Sequence, residues 1–401
     1  MKKLFSVGIV LSLLLALLTG CQSPGPEQDL GDKFIFGEDN QYYFYLSGLL
    51  GEPIAESETG YYVSIDGYMH TRDKETGACT PLCNKPDCTH DDREFLVGGA
   101  SNCNAYFGIA QRISYYKGKL YVLSANTVYE MDASGSTRKK LIESKESIWA
   151  SMVHRGYLYL TFSDFQIPLE EYKEEELKNL SYRVERYRLD QWDGKPEIVY
   201  EKTGEWGQLH TMFAYGNRVY FDITGAEAGR VVRYDLTNNS LSEISGISGY
   251  PCVVDGNLLY FEQPEELIKN PNAENISEIQ AKNMAILAEL DGTPIQETQM
   301  SQTYSRIFGN KELVAADNYL EVVFEEIPKE KRGIRFFDKD LNFIREVNLK
   351  NGTMPSLGMN EDYFFYMKRL EETDEVQIWA IDLHKLDDPD LKGEPFFVSE
   401  E

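Results

Sequence analysis

Positive charge is scarce in this chain. Of 401 residues, 40 are Lys or Arg and 66 are Asp or Glu, a formal net charge of −26. A surface of that sign repels phosphodiester backbones and anionic headgroups, which excludes nucleic acid as a partner and electrostatic adhesion to a membrane. Long apolar runs are scarce too. After Leu18 nothing approaches the roughly 20 apolar residues that a bilayer-spanning helix needs. The sequence lacks G-x-S-x-G, H-E-x-x-H, G-x-x-x-x-G-K-[ST], G-x-G-x-x-G and the EF-hand loop, so the common hydrolase, metalloprotease, nucleotide and calcium chemistries have no carrier. Histidine is limited to five copies. His70 lies in a strand pattern, His154 in a turn, His210 before an aromatic strand and His384 near a C-terminal turn, all contexts that suit structural roles.

The N-terminus reads "MKKLFSVGIVLSLLLALLTGCQSPGPEQ". Lys2 and Lys3 precede an apolar run from Leu4 to Leu18, short for a membrane span and suited to a signal-peptide core. The run ends in Leu18-Thr19-Gly20-Cys21, which resembles the lipobox of bacterial lipoproteins. That resemblance implies cleavage before Cys21 and a diacylglyceryl thioether on its sulfur, holding the chain on the extracytoplasmic face of the cell membrane. Lys2 and Lys3 are the only charges in residues 1–20, so their removal takes the formal charge from −26 to −28. Residues 21–33, rich in Pro, Gly and acid, read as a lipidated cysteine followed by a flexible tether.

Residues 34–401 exceed the usual size of one simple core, and repeats explain how. Tight turns leading into aromatic strands recur in "YYKGKLYVL", "VHRGYLYLTF", "AYGNRVYFDI", "VDGNLLYFE", "FGNKELVAA" and "MNEDYFFYM", with "GEDNQYYFYL" as an N-terminal match. Most carry Gly, Asn or Asp where a short hairpin needs positive φ. A second set of strands ends in aspartate before another turn: Asp73, Asp132, Asp190, Asp235, Asp291, Asp338 and Asp382, 44 to 59 residues apart. Such an aspartate can cap the amides of its own turn. Two hairpins in each of seven repeats predict an all-β propeller of four-stranded blades over residues 34–401, seven-bladed, with six or eight blades as the alternatives. Strands at 34–36 and 42–46 are expected either to open the first blade or to complete the last. Two polar insertions, "IPLEEYKEEELKNLSYRVERY" and "PEELIKNPNAENISEIQAKNMAILAEL", carry helix-like spacing and are expected to decorate one face.

The cysteine loop, residues 79–103, has the spacing C-x3-C-x4-C-x-H-x12-C. Cys83, Cys88, His90 and Cys103 would suit a closed tetrahedral Cys3His site, a structural zinc. Disulfides among Cys79, Cys83, Cys88 and Cys103 are the alternative in an exported protein. Cys252, among apolar neighbours, reads as a buried bystander. In either reading the loop is a staple, since four protein ligands leave a metal no open position. Glu205, Trp206 and His210 form the one cluster with a sugar-binding composition, but an aromatic packing residue between blades is the preferred account of Trp206.

The lipobox, "GYYVSIDGYMHTRDKETG", "LCNKPDCTHDD" with "SCNAYF", and the "DGNLLYF" hairpins together resemble a group of propeller lipoproteins of Firmicutes, chiefly Clostridia, distantly similar to TolB-like propellers. The resemblance covers the mature chain and implies a cell-surface propeller; it brings no activity with it. Three roles stay open: a binding or scaffold module for a glycan or partner protein, an envelope-assembly component, or a lyase or glycosidase with acid and base groups converging on the channel. No residue is assigned a catalytic role, and the expectation is a non-enzymatic module.

Overall fold

The computed structural model describes residues 30–44, 54–65, 67–90, 102–108, 110–164, 179–204, 207–225, 230–262, 284–299, 306–317, 332–349, 353–370, 372–373 and 375–397. The signal peptide, Cys21 and the tether up to residue 29 lie outside them. Asp32–Glu401 forms one compact unit.

That unit contains seven antiparallel sheets of four strands, each strand paired with its sequence neighbours. The blades span residues 54–81, 110–143, 148–203, 207–245, 247–299, 306–348 and 353–397. Each is a sheet with two apolar faces, because strands such as Tyr157–Ser163 are buried at every position. A sheet of that kind must be covered on both sides. Seven buried clusters supply the cover, one between each neighbouring pair of blades. The last joins Tyr61, Val63 and Ile65 of blade 1 to Phe365, Met367 and Phe397 of blade 7 and closes the ring. Cys252 lies in the cluster between blades 5 and 6, and burial pushes its thiol pKa up, as expected of a bystander.

Six of the seven quoted hairpins are the inner pairs of blades 2 to 7. In blades 2, 3 and 5 their turns place Lys117-Gly118, Arg155-Gly156 and Asp255-Gly256 at positive φ, the geometry that matches strand twist. The aspartate repeat also holds: the carboxylates of Asp73, Asp235, Asp291, Asp338 and Asp382 accept from amides two residues on in the outer turns. The N-terminal match is a correction. Neither 34–36 nor 42–44 is a strand, and blade 1 opens instead with Ile54–Glu56. Blade 7 takes all four strands from residues 353–397, so no strand is shared across the closure. The helical reading of the insertions is corrected in part: Ser181–Arg188 and Met284–Ala288 are the third strands of blades 3 and 5. Residues 165–178 and 263–283 lie outside the described residues. Pairing with the preceding strand outweighs the helical spacing wherever the chain re-enters the sheet.

Residues 32–44 run instead across the inner turns. In a four-stranded meander the first and third turns fall on one face, and this segment crosses the ring centre on that face. Gly37 O accepts from Lys117 N in blade 2, and Glu38 O accepts from Arg155 N in blade 3. Asp32 packs on Gly216 of blade 4, where a Cβ would meet its Cα at 2.7 Å. Tyr42, Tyr43 and Phe44 share a cavity with Cys252 and Phe308 of blades 5 and 6. Tyr43 O accepts from Met359 N in blade 7, and the Gln41 amide pairs with the Glu56 backbone in blade 1.

Fully buried His154 latches this strap. Its Nδ1 accepts from Asn40 N at 3.1 Å, which fixes the proton on Nε2, donated to Gly216 O at 2.9 Å. Burial, then the neighbouring Arg155 charge, lowers its pKa to about 3. The unfolded imidazole titrates near 6.5. The latch therefore contributes fully above about pH 6.5, and its contribution falls away as pH drops towards 3. Asp39 lies 3.8 Å from Nδ1, and burial raises its pKa against the opposing bonds from Arg155, a weaker effect of opposite sign. Denaturation midpoints should therefore fall between about pH 7 and pH 4, and His154→Gln should flatten that slope. Equal slopes in the two proteins would contradict the latch.

Candidate metal centre

Blade 1 leaves its outer strand at Cys79–Pro81, and the chain turns towards blade 2. Leu82 N donates to Met69 O at 2.7 Å, so the loop starts as a continuation of the sheet. Pro86 and Asp87 make the turn that brings Cys88 back, with Cys88 N donating to Lys85 O. His90 follows after one residue, and a ligand pair that close needs a sharp reversal. His90 accordingly sits at φ 55°, a left-handed conformation that is costly for a residue with a Cβ. Residues 91–101 lie outside the described residues. Across them, Lys85 Nζ donates to the carbonyl and side-chain oxygens of Asn102 and ties the two arms together.

The result is one cluster. The ligand atoms of Cys83, Cys88, His90 and Cys103 all lie within 4.8 Å of one another. His90 Nδ1 stands 3.2 Å from Cys88 Sγ and 3.5 Å from Cys103 Sγ. A set of three sulfurs and one ring nitrogen converging from two arms could hold a metal ion. Cys79 is not part of it; its side chain packs on the cluster between blades 7 and 1. All five described cysteines are unbridged.

The surroundings favour thiolates unevenly. Burial raises the Cys83 thiol, but amides of Lys85 and Asn104 donating to its sulfur outweigh it, and the net pKa is below the usual value. Burial and the adjoining Cys88 thiol push Cys103 up to about 12. Amide donors of this kind are the outer shell that metal-bound thiolates use. Arg138 adds positive charge beside Cys103 and Cys83 while its guanidinium lies 5.2 Å from the centre of the Phe107 ring.

Blade 2 anchors the knot. Asn104 Nδ2 donates to Gly135 O at 3.0 Å and Ser136 O at 3.1 Å, in the outer turn of that blade. Arg138 donates to Tyr106 O, and Ser124 Oγ to Phe107 O at 2.8 Å. On the blade 1 side, Met69 N donates to Ala105 O, and Phe107 N to Gly67 O, both at 2.8 Å. That these four side chains belong together was legible in the sequence; the roles of Asn104, Gly135 and Arg138 were not, because nothing in "DASGSTR" signals what packs on it. The histidines proposed as structural behave so where described: His70 Nδ1 lies 3.1 Å from Tyr68 O and His384 Nε2 lies 2.9 Å from Asp362 Oδ1. Glu205, Trp206 and the His210 side chain lie outside the described residues.

No family model matches the sequence, and no curated protein matches it. Solved structures do match the fold. The tricorn protease superposes with a TM-score of 0.54 at 10% identity, over 92% of this chain and 36% of that one. An acylaminoacyl peptidase from Pyrococcus horikoshii gives 0.52 at 10% identity, over 91% of this chain and 54% of the other. The chain thus spans about a third to a half of the length of these two. The likeness is one of fold: this is a seven-bladed β-propeller.

Gly135 is where knot and blade touch. A Cβ there would stand 2.7 Å from Leu82 C and O, and φ is 74°. Gly135→Ala should cost more than the about 1–2 kcal/mol of left-handed strain alone. Gly118→Ala, at φ 77° with nothing within 4 Å, isolates that strain. Comparing the two unfolding free energies measures the contact, and equal costs would mean that the knot does not bear on Gly135.

Proposed function

We propose that this chain is an extracytoplasmic lipoprotein whose propeller is a binding or scaffold module, with a structural zinc clamping blade 1 to blade 2. The observation that carries the scaffold reading is where the ionisable groups go. Five of the seven repeated aspartates cap the amides of their turns, His154 latches the strap, and buried Asp317 is held at 2.9 Å and 3.2 Å by Arg332. These groups serve the ring rather than converging on a substrate. The sequence resemblance to Firmicutes propeller lipoproteins and the Leu18–Cys21 lipobox support cleavage of residues 1–20, lipid on Cys21 and a flexible tether to residue 33. Partners on this reading are the membrane, through that lipid, and a protein or glycan on the cell surface.

Zinc is the metal the donor set fits best. Zn–S bonds of about 2.3 Å and Zn–N bonds of about 2.0–2.1 Å in a tetrahedron place S···N edges near 3.6 Å and S···S edges near 3.8 Å. The 3.2 and 3.5 Å separations, and the 4.8 Å limit on all six edges, require only small rotations of side chains to meet that geometry. Four protein donors close the site, so zinc would cross-link and not catalyse.

Elemental analysis of the Gln22–Glu401 chain should find one zinc per molecule. Cys103→Ser or His90→Ala should lose it, and a chelator should lower the melting temperature of the wild type but not of those variants. A metal-free protein with four oxidised thiols would replace zinc with disulfides. For the anchor, Cys21→Ser should move the chain from the membrane fraction to the soluble one. For the module, the purified chain should bind a cell-wall glycan or envelope fraction without consuming it. Release of new reducing ends or unsaturated sugar would make it an enzyme.

A further inference from the structure

The strap over the inner turns is held by side chains that read its sequence, not by packing alone. Asp39, 1% exposed, takes a two-pronged contact from Arg155, with Nε 2.7 Å from Oδ1 and Nη2 3.2 Å from Oδ2. Asn40 is read on both sides: its amide donates to His154 Nδ1, and its Oδ1 accepts from Ala214 N at 3.2 Å. The Gln41 side chain behaves as a strand would. Its Nε2 donates to Glu56 O at 2.6 Å, and its Oε1 accepts from Glu56 N at 3.0 Å. Tyr43 OH donates to Glu56 Oε1 at 2.6 Å. Phe44 makes a single antiparallel bridge with Gly358.

A buried carboxylate met by a guanidinium, a buried carboxamide pairing with a main chain and three aromatic side chains at a cavity are the elements of a peptide-recognition site. We infer that the inner-turn face of this propeller is a binding site for a turn-forming peptide of the pattern Asp-Asn-Gln-aromatic-aromatic-aromatic, occupied in cis by Asp39–Phe44, whose Phe44 amide donates back to Gln41 O. Two consequences follow. The segment closes the ring in place of a shared strand, because it touches blade 7 and blade 1 together. It also keeps this mouth of the channel filled, so that an outside peptide of the same chemistry binds only by displacing it. The inference goes beyond the tethered-scaffold reading and stands whether or not Cys21 carries lipid.

The test uses the whole Gln22–Glu401 chain and a fluorescent synthetic peptide of residues 32–44. The triple variant Asp39→Ala, Asn40→Ala, Gln41→Ala weakens the resident strap and leaves the ring side intact. It should bind one peptide per chain, and the wild type should bind at least about thirtyfold more weakly, since losing one partner of a buried charged contact costs that much or more. A peptide with the same three substitutions should bind neither. In a second arm, which needs no weakened strap, a protease sequence is inserted between Gly48 and Leu49. After cleavage the 22–48 fragment should stay with the ring on gel filtration and exchange slowly against labelled peptide. A folded triple variant that binds no peptide would overturn the proposal. So would a cleaved fragment that leaves a ring of unchanged melting temperature.

Discussion

Every blade of this protein has two apolar faces, and that constraint governs the rest. A row of such sheets would leave its two end faces in water, each carrying several large side chains worth about 1.5–3 kcal/mol apiece when buried. Curving the row into a ring turns the two end faces towards each other. The closing contact between blades 7 and 1 is then the one that joins residues furthest apart in sequence. It has polar as well as apolar parts: Asn360 Nδ2 donates to Glu56 Oε2 at 2.8 Å and to Tyr61 OH at 3.3 Å. Closing so long a loop costs little more entropy than closing a short one, because the cost grows only with the logarithm of length. Packing quality at the seam decides whether the ring stays shut.

The architecture was legible because it repeats. A two-residue period, positive-φ residues in the turns and an aspartate after each third strand are local signals, and seven copies of a local signal specify a ring. The errors fall where the repeat is broken. "GEDNQYYFYL" has the composition of an inner hairpin, yet its partners are scattered over blades 1, 2, 3, 4 and 7, and no local pattern distinguishes a strand from a strap. Ser181–Arg188 looked helical because an acidic run precedes it; what makes it a strand is the ladder from Tyr157↔Arg188 to Ser163↔Tyr182. In the cysteine loop the four members of the cluster could be read from residue type and spacing. The residues that shape their surroundings could not, since Asn104 and Gly135 meet only after blade 2 has folded.

The position of the knot follows from a weakness in blade 1. Among the described residues its inner and outer strands, Ile54–Glu56 and Cys79–Pro81, are three residues each, so its described hydrogen-bond ladder is short at both edges. Yet this blade must face blade 7 on one side and blade 2 on the other. The cysteine loop lengthens it. Leu82, Ala105 and Phe107 add main-chain bonds to Met69 and Gly67, and Cys103, Ala105 and Phe107 enter the cluster shared with blade 2. The strap does the same for the inner edge, where the Gln41 amide pairs with Glu56 as a neighbouring strand would.

Such additions need fixing, because an irregular loop cannot hold itself by a ladder and its backbone would otherwise stay free to exchange with water. A cluster of side chains able to hold a metal ion can supply such a constraint without requiring regular backbone. The four side chains come from two arms, Cys83 to His90 and Cys103, and meet where those arms come together. The inner addition is secured differently, by a neutral histidine and an ion pair buried at the ring centre, where a rigid turn already exists at Arg155-Gly156 to present them. Blade 1 is therefore flanked on its outer side by the cysteine–histidine knot and on its inner side by the strap, and each adjoins a described edge strand of three residues.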